Sequence, residues 1–252
     1  MKFVTYQVDR LHTLLGVLNQ DENWIYPLKS FEIDYKDMLQ LIREISEGEM
    51  QRIAWGASRQ PEDVPGAAPI GDALLLAPIP EPSQDIICLG INYMAHAEES
   101  ARYKKETFDG QRPYAVYFSK RVNQAVNPGQ PILSHSDIVD SLDYEAELAV
   151  SFLPMGPSIV TADSLPYPPQ LSIQSLVNGE LRQDSNTRLL IFGIDHVISE
   201  LSQGMTLKAG TIISMGTPSG VGMGFDPPKF LKPGDVVECR IEGIGSLKNP
   251  VE

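Results

Sequence analysis

Residues 142 to 150 read Leu-Asp-Tyr-Glu-Ala-Glu-Leu-Ala-Val. In an extended strand, successive side chains point to opposite faces. Asp143, Glu145 and Glu147 then share one face, and Tyr144, Ala146, Leu148 and Val150 share the other. From Val122 to Leu181 there is no Lys or Arg, although Asp137, Asp140, Asp163 and Glu180 add further negative charge to the same stretch. Like charges at two-residue spacing repel. A hard divalent cation on oxygen ligands would relieve that repulsion. The plainer alternative is a solvated acidic face on an edge strand.

A second stretch, Gly90-Ile-Asn-Tyr-Met-Ala-His-Ala-Glu-Glu-Ser100, places His96 and Glu99 three residues apart, on one face of a helix. A carboxylate beside an imidazole fixes its tautomer and raises its basicity, which suits a general base acting on water. A surface ion pair is the competing reading, and Glu98 points elsewhere on the helix. A third stretch, Gly216-Thr-Pro-Ser-Gly-Val-Gly222, lets backbone amides approach a ligand closely, and Thr217 adds a hydroxyl. It lacks the Lys-Ser/Thr pair of a nucleotide-phosphate loop. A plain hairpin turn explains it equally well.

The elements that must hold these residues follow from pattern. The 252 residues carry a net charge of −13 and 42% hydrophobic side chains. This composition suits a globular chain and argues against nucleic acid as a partner. Cys88 and Cys239, the only cysteines, suit a reduced interior. There is no signal-peptide pattern and no apolar run of membrane-spanning length, so a cytoplasmic location is expected.

Residues 1–80 read as a small leading domain. Strands are expected near 3–8, 13–18 and 24–28, one helix over 33–53, and a loop over 56–71. The stiff Ala77-Pro-Ile-Pro-Glu-Pro82 marks the boundary to a second domain, 81–252. There, strands are expected at 85–89 and 114–118, with a helix from 94 capped by Asn92. A hairpin should turn at Asn178-Gly179. Further on, a helix is expected over 187–201, with strands at 211–215 and 236–241.

Taken in order, several motifs resemble the fumarylacetoacetate hydrolase family: Ile87-Cys-Leu-Gly-Ile-Asn-Tyr with His96 and Glu99; Tyr117-Phe-Ser-Lys120; Asp143-Tyr-Glu-Ala-Glu-Leu; Met155-Gly-Pro; Val177-Asn-Gly-Glu-Leu-Arg-Gln183; and Gly216-Thr-Pro-Ser-Gly-Val-Gly. The resemblance runs from about residue 83 to the end. It implies an α+β, largely β fold, with a mixed-sheet, β-roll catalytic domain behind a small α/β N-terminal domain. It also implies Mg²⁺ or Mn²⁺ (Ca²⁺ accepts the same ligands), a dicarbonyl or oxo-acid substrate, and a homodimer. By that resemblance Glu145 and Glu147 are metal ligands, and His96 and Glu99 are the water-activating dyad. Thr217 and Gly216 meet a substrate oxygen, and Lys120 is a basic residue near the pocket.

One departure matters. Family members carry a long segment after the Glu-x-Glu strand, with a third metal carboxylate, an Arg-Asp pair and a pocket lysine. Here Ala149-Val150 runs directly into Ser151-Phe-Leu-Pro-Met-Gly-Pro157. Two carboxylates alone are a poor cage for an octahedral ion. Either the segment belongs to the protein and lies outside this sequence, between 150 and 151, or the protein lacks it and is inactive. The first is favoured, because deleting part of a central sheet would be costly to the core.

The expected activity is hydrolytic carbon–carbon cleavage of a β-diketo acid or acylpyruvate through a stabilised enolate. Isomerisation of a hydroxy-diene dioate and decarboxylation of oxaloacetate are alternatives on the same platform. A non-catalytic metal-binding homologue is a further one.

Overall fold

The computed structural model describes residues 1–9, 11–148 and 156–252. Val150, the 150/151 junction and Met155 lie outside the described residues. The first region contains β1 (Lys2–Gln7), β2 (Leu14–Leu18), β3 (Trp24–Pro27), α1 (Met38–Glu44), α2 (Glu47–Ala57), β4 (Ala68–Pro69) and β5 (Leu74–Leu76). Its three leading strands fall within a residue or two of expectation, because each is a short apolar run bounded by polar turns.

The single helix expected over 33–53 is two helices. Ile45 leaves helical geometry with ψ 127, and Ser46 begins α2 with a capping box. The Ser46 side chain accepts the Glu49 N–H, and the Glu49 carboxylate accepts the Ser46 N–H at 2.9 Å. The local Ser-x-x-Glu signal therefore outweighs the continuous apolar stripe.

The second region contains β6 (Ile86–Leu89), α3 (Met94–Lys104), β7 (Tyr117–Lys120), β8 (Ile159–Val160), β9 (Ser172–Val177), β10 (Glu180–Asn186), α4 (Ile194–Gly204), β11 (Ile213–Ser214), β12 (Val236–Ile241) and β13 (Gly245–Pro250). The result is an α+β protein, largely β, with three sheets among the described residues. The first has the order β4-β3-β2-β1-β5, and β8 pairs antiparallel with β1. The second is the antiparallel β10-β9-β12-β13. The third is β11-β6-β7, with β11 and β6 parallel.

The leading sheet is not confined to the first 80 residues, since β8 joins it. One apolar cluster also runs from Phe3, Tyr26 and Ile53 to Ile86, Cys88 and Ile212. Burying each such aliphatic side chain contributes about 2 kcal/mol, so the two regions stabilise each other.

Several expectations shift. Asn178 and Gly179 take φ of 52° and 81°, which makes the tight turn joining β9 and β10 as their types require. Residues 187–189 form a single 3-10 turn, and α4 begins only after Gly193. Asn92 does not cap α3: the N-cap is Tyr93, with no side-chain cap bond. Asn92 is fully buried instead. It donates to the carbonyls of Phe192 (3.1 Å) and Met215 (2.8 Å) and accepts from Phe192 N–H (2.8 Å), tying the end of β6 to two distant loops.

Candidate active site

The acidic segment 142–148 belongs to no named strand. Its alternation survives without a ladder. Tyr144, Ala146 and Leu148 are buried, while Asp143 and Glu147 are half-buried and Glu145 is exposed. The bonds that hold it come from side chains and turns. Gln183, fully buried on β10, accepts Ala146 N–H at 2.9 Å and donates to Thr217 Oγ1 (2.7 Å) and to Pro218 O (2.8 Å). Thr217 Oγ1 donates to Ala146 O at 3.0 Å, and Met215 N–H to Leu148 O at 3.2 Å. One amide side chain thus satisfies groups that a neighbouring strand would otherwise satisfy.

The three acids on the polar face have three different surroundings. Asp143 accepts Gly222 N–H (2.6 Å) and Met223 N–H (2.8 Å), so it braces the 214–224 turn while lining the same cavity as Glu145 and Glu147. Burial raises its pKa, while the amides of Met223, Tyr144 and Gly222 pull against that rise. Glu145 faces Lys120 at 3.8 Å. Glu147 accepts from the Ser214 hydroxyl and from Gly216 N–H at 2.7 Å. Burial lifts its pKa to about 7, and the Glu145 charge adds to the rise.

The second half of the site is the helix pair. His96 Nδ1 and Glu99 Oε2 lie 2.9 Å apart, and both residues are buried, at 8% and 5% exposure. This burial removes the surface ion-pair reading. Glu99 Oε1 accepts Gly220 N–H at 2.8 Å. A carboxylate accepting on both oxygens places the imidazole proton on Nδ1 and leaves Nε2 as the basic nitrogen. The turn closes around Glu99 because glycine permits it. Gly220 has φ +103°, and a side chain at Gly224 would collide with the Glu99 carboxylate.

A cavity of about 800 Å³ is lined by Lys120, Glu145 and Glu147 together with aliphatic side chains such as Leu148, Leu165 and Ile244. His96, Glu99 and Thr217 are not among its described lining residues. The structure therefore gathers the predicted residues into two groups, both touching the 214–224 turn: Glu147 through Ser214 and Gly216, Glu99 through Gly220. Thr217 and Gly216, expected to meet substrate, bond to Ala146 O and Glu147 within the protein. Sequence reasoning assigned no role to Gln183, Tyr144 or Ser214. Gln183 stood in a quoted motif, but no local rule reveals a bond to residues 37 positions away.

As a donor set for a divalent cation, Glu145 and Glu147 are right in kind: hard oxygens, one enclosed and of raised proton affinity, lining one cavity. Among the described residues there is no group of three or more His, Cys, Asp or Glu placed to hold a metal ion. The pair fits an ion that keeps several waters and takes further oxygens from its substrate, as Mg²⁺ does on one or two carboxylates.

A family profile described as fumarylacetoacetate (FAA) hydrolase C-terminal matches residues 85–152 and 150–252, in two pieces that overlap at residues 150–152. Oxaloacetate tautomerase YisK of Bacillus subtilis is 34% identical over 265 residues, covering 84% of this chain and 86% of that protein. A fumarylacetoacetate hydrolase structure from Exiguobacterium antarcticum superposes with a TM-score of 0.75 at 29% identity, covering 100% of this chain and 99% of the other. Maleylpyruvate hydrolase from Sphingobium sp. SYK-6, solved with manganese(II) and pyruvate, shares the fold, with a TM-score of 0.74 at 23% identity and coverage of 100% and 98%. No helix among the described residues is long and apolar enough to cross a membrane.

Proposed function

Since the chain belongs to the fumarylacetoacetate hydrolase family, we propose that it carries out enolate chemistry on a small 2-oxo acid, and that its reaction is hydrolytic cleavage of a β-diketo acid. The observation that carries this reading is the buried His96–Glu99 pair, with Glu99 anchored a second time by Gly220. A surface ion pair needs no such enclosure; a general base does.

His96 Nε2 takes a proton from water, while Glu99 holds the Nδ1 proton and steadies the imidazolium that forms. The hydroxide adds to the carbonyl distal to the 2-oxo acid. The carbon–carbon bond breaks with its electron pair passing to the 2-oxo-acid fragment as an enolate, and His96 returns a proton to that carbon. Lys120, at the cavity that Glu145 and Glu147 also line, offers a positive charge to the substrate carboxylate. A divalent cation on Glu145 and Glu147 supplies, when bound, Lewis-acid polarisation of the carbonyl and enolate oxygens. Thr217 and Gln183 hold the acidic segment against the turn and so keep both groups in register. In this reading the protein works in the cytoplasm as a homodimer.

A second reading is favoured by the 34% identity to an oxaloacetate tautomerase. The same base would move a proton between carbon and oxygen of oxaloacetate, with no attacking water. The two are separated by supplying acetylpyruvate and enol-oxaloacetate side by side, with Mg²⁺ or Mn²⁺ present. Acetate and pyruvate from the first substrate establish hydrolysis. Accelerated ketonisation of the second, with acetylpyruvate untouched, replaces it with tautomerisation. No turnover of either removes the enzymatic reading, and full turnover by His96→Ala removes His96 as the base.

A further inference from the structure

We infer that Tyr144 is a positioning residue for the His96–Glu99 dyad, acting through Gly220. The inference rests on the dyad being the base proposed above.

Tyr144 lies on the buried face of the acidic segment, at 4% exposure, with its back to Glu145. Its hydroxyl donates to Gly220 O at 2.9 Å. Gly220 N–H donates to Glu99 Oε1 at 2.8 Å, and Glu99 Oε2 meets His96 Nδ1 at 2.9 Å. Four residues from three separate parts of the chain thus form one hydrogen-bonded line that ends on the base. Arg182, with its guanidinium 5.3 Å from the Phe225 ring centroid, pairs with Glu180 at 3.1 Å.

Gly220 is the weak link that makes this grip necessary. At φ +103° it has no side chain to limit rotation, and glycine samples far more backbone conformations than any other residue. The Gly220 N–H and carbonyl lie in two peptide planes joined at its Cα, so anchoring the carbonyl as well as the N–H limits rotation about φ and ψ between them. Asp143, the neighbour of Tyr144, holds Gly222 and Met223 by their amides, so the segment grips the turn on the far side as well. Without the Tyr144 hydroxyl, the part-buried Gly220 O loses that donor, and rotation about the Gly220 backbone can carry its N–H away from Glu99. Glu99 then keeps only one of its two anchors, and the imidazole loses its fixed orientation. Outer partners of this sort change activity by about 10–100-fold in comparable sites.

The test is Tyr144→Phe, which removes one oxygen and keeps the ring. Proton and nitrogen NMR of the His96 ring reads the Nδ1–H resonance with no substrate present. The expected result is a shifted or exchange-broadened His96 Nδ1–H signal and an affinity for Mn²⁺ equal to wild type. With a turned-over substrate, kcat falls about tenfold at unchanged KM. An Nδ1–H resonance unmoved in Tyr144→Phe overturns the inference. Should the variant fail to fold, amide exchange in the wild-type protein decides. A Gly220 N–H protected like those of β9 supports the link, and one exchanging as fast as an open loop overturns it. The NMR readout stands apart from the activity assay: His96→Ala with full turnover removes the base reading alone, whereas a silent Tyr144→Phe beside an inactive His96→Ala removes the positioning role alone.

Discussion

The dyad and the carboxylate pair are built to different degrees of completeness, although one turn touches both. His96 and Glu99 are buried and mutually bonded, and Glu99 has a second anchor in Gly220. Every partner they need is already in the protein. Glu145 and Glu147 share a cavity wall and the charge of Lys120, which faces Glu145 at 3.8 Å, while Glu147 alone accepts from Ser214 and Gly216. Burial there raises the proton affinity of Glu147, a sign of a charge awaiting compensation. The difference teaches that an orienting pair can be assembled from local helix spacing and one long-range amide. An ion cage instead needs oxygens from several parts of the chain, or from solvent and substrate.

The sharpest way to break this comparison is to remove each half. His96→Ala should lower kcat by about 10²–10⁴-fold and leave Mn²⁺ affinity intact, read by turnover and by metal titration. Glu147→Gln should do the reverse first, weakening Mn²⁺ by about a hundredfold while the His96 ring resonances stay in place. A metal affinity equal to wild type in Glu147→Gln and Glu145→Gln would take the pair out of metal binding.

The next effect concerns what holds both halves. Gln183→Leu leaves Ala146 N–H and the Thr217 hydroxyl without their buried partner and should cost about 3 kcal/mol in urea denaturation. A comparable effect follows from pH. A carboxyl whose folded pKa is raised from 4.5 to about 7 favours folding while protonated. In EDTA, stability should therefore fall by about 3 kcal/mol as pH climbs through that window, because the native state binds the extra proton. In Glu147→Gln that slope should flatten, and an unchanged slope would place the shift elsewhere. The smallest effect is a control far from the turn. Ser46→Ala removes the α2 capping box and should cost about 1 kcal/mol with turnover unchanged.

Much of this was legible in residue order. The Asn178-Gly179 turn followed from two residues that accept positive φ. His96 and Glu99 followed from helical spacing. The alternation around Glu145 and Glu147 also held, because period two reports which side is buried and does not depend on a paired neighbour. For the same reason it could not tell a laddered strand from an unpaired segment held by Gln183. Asn92 was misplaced because the capping rule is local, whereas its actual partners lie 100 and 123 residues away. The bond from Gly220 to Glu99 spans 121 residues and had no local signature beyond the glycine itself. The helix break at Ser46 did have one, and a capping-box scan finds it.

The glycines of this turn set limits on how the protein can be re-engineered. Position 220 opposes the Arg182 carbonyl so closely that no methyl fits, and position 224 leaves no room beside Glu99. A library randomised across the whole loop would therefore be filled with dead clones. Diversity is better placed at the solvent-facing residues 226–228, where new side chains meet water and not the helix behind the turn.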